Sequence, residues 1–175
     1  MIDLETLSTS CNAVILVIAG IKFKRNNTEL KKEHFYKKID INSCLEKGMI
    51  IDEATEQWWK QQKDEIRKEA FEGKRDNLKT ALQEFSLWYK KDKINCIWSH
   101  GATFDIPILA EAYRKCGMIP PWKFYEARDT RTVYELGGIS LGKNENKHNA
   151  LEDCKQQILD LQKNLIKING KTNHL

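Results

Sequence analysis

Several things are scarce in this chain. The longest apolar run, Ala13–Ala19, falls far short of the roughly 20 residues a membrane-spanning helix needs. No basic region stands ahead of an apolar stretch at the N-terminus, so no secretory signal and no membrane partner are expected, and the expected location is cytoplasmic. There are 3 prolines and 9 glycines, and they gather in no linker. No repeat or low-complexity block interrupts the chain, so one domain over residues 1–175 is expected. The 5 cysteines (Cys11, Cys44, Cys96, Cys116 and Cys154) are odd in number and show no C-x-x-C pair. That argues against a zinc site or a disulfide framework and for reduced thiols. Charge of one sign is not in great excess either: the net is +4, which permits a polyanionic partner without demanding one.

The basic residues are uneven. Lys22, Lys24, Arg25, Lys31, Lys32, Lys37 and Lys38 crowd one stretch, and Lys163, Lys167 and Lys171 lie near the end without acids between. A solvated surface explains them, and so does a track for phosphates outside an active site.

Hydrophobic residues make up 41% of the chain, enough for a core. Met1–Glu5 reads as a strand. Ala13–Phe23 follows, continuously apolar and β-branched at its front, as in a strand covered on both faces. Lys31–Ile39 is a third candidate strand. Thr55–Glu72 reads as helix, and Arg75–Lys91 as a helix with Leu78, Ala81, Leu82, Phe85 and Trp88 on one face. Asn95–Trp98 is a short apolar strand, Asp105–Cys116 a helix with Pro107 in its first turn, Lys123–Ala127 a further strand and Asp129–Leu136 a short helix. Gly137–Lys147 reads as a loop. The last helix is announced by Asn149 and Glu152 at capping-box spacing and carries a stripe of Leu151, Cys154, Ile158, Leu161, Leu165 and Ile168. The pattern predicts an α/β domain with a mixed β-sheet flanked by helices.

The acids carry the chemistry. Asp3 and Glu5 are two apart on a strand and so share a face. Two buried carboxylates repel, and a divalent cation removes that penalty; a frayed, solvated terminus would also place them together. Asp105 opens a helix after a short strand, a position that the helix dipole alone would favour. His148 and Asp153 would stand roughly 140° apart on one continuous helix. With Asn149 as N-cap, His148 instead falls in the loop before the helix and can fold back towards Asp153. Four acids and one histidine at element boundaries suggest a two-metal phosphodiesterase, and all-oxygen ligands favour Mg²⁺ or Mn²⁺ over zinc.

At this point the residues resemble the DEDDh exonucleases of the RNase T and polymerase-proofreading superfamily. The motifs are Asp3-x-Glu5-Thr6, then Ser99-His-Gly-x-x-Phe104-Asp105, then His148 with Asp153 five residues on, and Asp129-Thr130 also matches. The stretch Ile50-Ile51-Asp52 with Trp58, Trp59 and Gln62 looks like phage-encoded exonucleases and their exoribonuclease relatives, some of which cut DNA and others RNA. The resemblance spans nearly the whole chain. It implies an RNase H-like fold and 3′→5′ exonucleolysis of nucleic acid with a free 3′ end, single-stranded or frayed, to give nucleoside 5′-monophosphates. It implies that Asp3, Glu5, Asp105 and Asp153 bind two metals and that His148 is the general base. It implies that Thr6 and Leu7 meet the terminal nucleotide, and it is compatible with a homodimer and with a phage protein acting in the host cytoplasm. Only Met1 and Ile2 precede Asp3, fewer residues than is usual in the family; a weak opening strand or a start further upstream is expected.

Trp58 and Trp59 face different ways on a helix, so one belongs to the core and the other can stack on a base. Phe104 can pack on the terminal base or sugar, or in the core. His100 is expected to be structural. His34 and His174 carry no signal, and Arg128 and Arg131 can reach a phosphate or simply face solvent. A non-catalytic nucleic-acid-binding module on the same fold is the alternative; the presence of all four acids and the histidine counts against it.

Overall fold

A computed structural model describes residues 1–25, 30–92, 96–139, 142 and 148–172. Its centre is β2 (Ile15–Phe23), which pairs antiparallel with β1 (Ile2–Thr6) on one side and β3 (Leu30–Lys38) on the other. The apolar run is apolar because both faces are covered. Cross-strand partners share a face, so Asp3 and Glu5 stand with Ala19 and Val17, while Ile2 and Leu4 stand with Gly20 and Ile18. The final helix, α7 (Ala150–Thr172), packs on β1 and β2 from the Asp3 side, burying Cys154, Ile158 and Leu161. Trp88 covers the other side against Gly20 and Phe35; a Cβ at Gly20 would come within 2.9 Å of the indole.

The remaining elements run in chain order: α1 (Ile41–Leu45), α2 (Glu53–Lys60), α3 (Asp64–Phe71), α4 (Leu78–Lys90), β4 (Ile97–Ser99), α5 (Asp105–Lys115), β5 (Ala127–Asp129) and α6 (Thr130–Gly137). The α/β architecture is the expected one. Among the described residues the strands form two hydrogen-bonded sheets, the antiparallel trio and the parallel pair β4-β5, with β4 alongside β1 and a common apolar core.

Four local differences from the sequence reading have physical causes. Thr55–Glu72 is two helices, not one. Trp59 and Phe71 pack edge to face at 5.3 Å, whereas one straight helix would hold them about 18 Å apart along its axis. Lys123–Ala127 is not a strand: Phe124–Glu126 is a 3-10 turn, closed by the Glu126 carboxylate accepting from Lys123 N–H at 2.8 Å, and strand pairing starts at Ala127. The short α1 was not foreseen, although Asp40 caps it by accepting from the N–H groups of Asn42 and Ser43. At α7 only half of the capping box forms. Asn149 Oδ1 accepts from Glu152 N–H at 3.2 Å, while the Glu152 carboxylate pairs with Lys155 instead. Within the Gly137–Lys147 loop only residues 137–139 and 142 are described; Asn95, His174 and the side chains of Lys31, Lys32 and Lys171 also lie outside the described residues.

Two glycines fix where that loop leaves α6. Gly138 adopts the left-handed conformation that ends the helix, with φ 65°. Gly137 lies so close to buried Asn164 that a Cβ would meet its Oδ1 at 2.1 Å and its Cβ at 2.8 Å. Gly137→Ala is therefore expected to lower stability by about 1–3 kcal/mol, the usual cost of overpacking, as read by urea unfolding. An unchanged midpoint would show that Asn164 yields freely.

Candidate active site

The site gathers on the Asp3 face of the sheet. Strand alternation puts Asp3 and Glu5 side by side, and α7 brings Asp153 down to them. Oxygens of Asp3, Glu5 and Asp153 all lie within 4.8 Å of one another. Asp105 sits at the start of α5 and is buried; its Oδ1 accepts the Leu4 N–H at 3.0 Å, tying α5 to β1 between the two strand acids. All four line one cleft of about 760 Å³ together with His148, Trp58, Thr6 and Phe104.

The opening strand is firmly held. It pairs with β2 along its whole length, and Ile21 N–H donates to Met1 O at 2.9 Å. The expectation of a weak strand is thus not met in the geometry: ladder bonds on one side and Asp105 on the other fix the backbone around Asp3 and Glu5.

His148 stands where the N-cap argument put it, before α7 and folded back. Among the described residues it alone, apart from glycines, has positive φ, at 68°. The turn is held by its own N–H, which donates to Asp153 Oδ2 at 2.8 Å. Its ring lies edge-on to Trp58, with centroids 4.7 Å apart and planes at 85°.

The electrostatics follow from burial and crowding. Burial, then the charges of Asp105 and Asp153, push the Asp3 carboxyl well above the usual carboxylate range; a hydrogen bond from Gln157 acts the other way. Glu5 is raised likewise by burial, Asp3, Asp153 and Asp105. Asp105 is pushed up to about 7, chiefly by burial, against the Leu4 N–H. Such a cluster is unfavourable as bare anions and suits a cation, and its oxygen donors fit a hard divalent ion such as Mg²⁺ or Mn²⁺. The Glu5 carboxylate accepts no hydrogen bond among the described residues, which leaves both its oxygens available.

The two tryptophans divide as expected. Trp59 is buried and its Nε1–H donates to Thr6 O at 2.9 Å; Trp58 is 38% exposed in the cleft. Thr6 lines the cleft, with its hydroxyl donating to Ser8 O at 2.8 Å. Leu7 does not line it. Its side chain is buried beside Trp59, its N–H donates to Val14 O and its carbonyl accepts from Asp52 N–H. Asp52 caps α2 through Thr55 N–H at 2.7 Å, and hydrogen bonds from Ser8 and Thr55 hold its carboxyl down to about 2.

His100 lines the cleft too, with its Nδ1 meeting the Thr130 hydroxyl at 2.9 Å, and that hydroxyl donates to Ser99 O. Arg131 lines the cleft, while Arg128 donates back to Tyr125 O and Ala127 O. The sequence reading missed Gln157, whose Nε2–H donates to Asp3 Oδ1 at 2.7 Å, and Gln156 and Asp160 beside it on the cleft wall. A signal was available: Asp153, Gln156, Gln157 and Asp160 recur at helical spacing next to the apolar stripe.

Comparison with known proteins places the chain in a family. The chain is similar to an exodeoxyribonuclease of Enterobacteria phage T4, 27% identical over 160 residues, covering 77% of this chain and 70% of that protein. No solved structure matches the chain significantly. The model of the Rv2179c-like 3′-5′ exoribonuclease domain matches residues 1–163. The chain is thus a 3′-5′ exonuclease and belongs to the Rv2179c-like 3′-5′ exoribonuclease domain family.

Proposed function

We propose that this protein is a metal-dependent 3′→5′ exonuclease of the DEDDh type on an RNase H-like fold, acting on DNA or RNA with a free 3′ end. One observation carries the reading: three crowded carboxylates, Glu5 buried and Asp3 and Asp153 half-buried, whose oxygens lie within 4.8 Å, with Asp105 and His148 in the same cleft. Asp3, Glu5, Asp105 and Asp153 would hold two Mg²⁺ or Mn²⁺ ions. Bound there, the ions supply charge stabilisation for the entering and leaving oxygens of an in-line displacement.

The chain's own residues do the rest. His148 takes a proton from the attacking water, a task suited to imidazole near neutral pH. The water oxygen bonds to phosphorus and the bond to the 3′ oxygen breaks. The proton rests on His148, and the 3′ oxygen takes one from solvent. A nucleoside 5′-monophosphate leaves and the shortened strand keeps a 3′-hydroxyl. Trp58 offers its exposed face to the terminal base, Phe104 packs the terminal base or sugar, and Thr6 borders the same pocket.

The test is a parallel digestion of 3′-labelled single- and double-stranded DNA and RNA with Mg²⁺ or Mn²⁺, with and without chelator. Release of labelled monophosphate that chelation stops is expected. No release from any of the four substrates would sink the reading. Trp58→Ala is expected to raise KM by roughly 5- to 100-fold, the range of one lost base stack, and to lower kcat as well because His148 loses its ring contact. An unchanged KM would place the terminal base elsewhere.

A further inference from the structure

We infer that Gln157 is a positioning residue of the metal site, holding the Asp3 carboxylate in the orientation that lets it share a cation with Glu5 and Asp153. This rests on the metal-dependent reading above. Gln157 Nε2–H donates to Asp3 Oδ1 at 2.7 Å across 154 residues of sequence. Among the described residues it is the sole hydrogen bond to that side chain. The neighbouring acids are fixed by backbone: Asp105 by Leu4 N–H, Asp153 by His148 N–H. Asp3 takes its hydrogen bond from a side chain.

The amide is oriented at its own expense. Gln157 Oε1 is buried with no hydrogen-bond partner among the described residues. The flipped amide would set that oxygen against a carboxylate oxygen, so Asp3 dictates which way the group points. The helical turn beneath it is fixed too, because the Tyr134 hydroxyl donates to Gln157 O at 2.7 Å. Gln157 lies one turn after Asp153 on α7. One helical face therefore supplies one acidic ligand and aligns another that belongs to β1.

The experiment measures Mn²⁺ binding calorimetrically, without substrate, for wild type, Asp3→Asn, Gln157→Met and Gln157→Ala. Methionine keeps the length of the side chain and loses the donor; alanine, at a half-buried position, guards against misfolding through poor fit. Mn²⁺ affinity is expected to fall 10- to 100-fold in both Gln157 variants, the usual effect of losing a partner that orients a ligand. The Mn²⁺ concentration giving half-maximal activity should rise by the same factor. At saturating Mn²⁺, KM for the oligonucleotide and kcat should return to within about threefold of wild type. A purely packing role would lower thermal stability and show no such rescue. Wild-type Mn²⁺ affinity in Gln157→Met and Gln157→Ala, with binding lost in Asp3→Asn, overturns this inference alone. Equal binding by wild type and Asp3→Asn overturns the metal reading and this inference with it.

Discussion

Asp105→Asn is expected to lower kcat by about three orders of magnitude while making the metal-free protein more resistant to heat. The first half follows from charge. Removing one of four anions from the proposed two-metal site forfeits several kcal/mol of transition-state stabilisation, at about 1.4 kcal/mol per factor of ten. The second half follows from burial. The Asp105 carboxyl is raised to about 7 when folded, chiefly because its charged form is desolvated. Against an ordinary value near 3.9 in the unfolded chain, the folded state holds the proton more tightly. The stability this confers is complete below the unfolded value and is lost as pH rises through about 7. At pH 8 in chelator the wild type thus bears the full penalty of a buried anion. Asparagine escapes that penalty and keeps an oxygen for Leu4 N–H. A melting temperature several degrees above wild type is expected at pH 8, and the gap should close near pH 4. Two outcomes would tell against this account: near-normal cleavage by Asp105→Asn, or a variant that melts below wild type in chelator at pH 8.

What the sequence made legible was local. Alternation on β1 placed Asp3 and Glu5 on one face, a strand followed by a helix placed Asp105, and an asparagine cap turned His148 away from the α7 axis. Each needs only a few neighbouring residues and standard geometry. What stayed hidden was non-local. That Leu4 N–H would receive Asp105, or that Gln157 would cross to Asp3, depends on how α5 and α7 pack against the sheet, and the pairs are 101 and 154 residues apart. The break between α2 and α3 is of the same kind. Propensity continues through Gln61–Lys63, and only the burial of Trp59 against Phe71 and Thr6 O requires the turn. The doubt over the opening strand arose because a short segment has few local determinants; its rigidity comes from β2 and Asp105, both remote in sequence.

His148→Ala is expected to separate catalysis from metal binding, and the reason lies in the backbone. His148 gives the acidic cluster its N–H, which donates to Asp153 Oδ2 at 2.8 Å. Alanine keeps that N–H, so Asp153 retains its hydrogen bond and Mn²⁺ affinity is expected to stay within about threefold of wild type. The imidazole is lost, and with it the proposed proton acceptor for the attacking water. Positioned general bases contribute about 10²- to 10⁴-fold, so kcat should fall by that factor with little change in KM. The backbone works mildly against the variant, because a left-handed residue with a Cβ is uncommon and histidine tolerates it better than alanine. A small fall in melting temperature is therefore expected alongside the kinetic loss. His148→Gly relieves that strain and should recover the melting temperature without recovering the rate. Near-full activity in either variant would remove His148 from the reaction. A parallel loss of Mn²⁺ binding in both would recast it as a group that builds the metal site and does not itself move the proton.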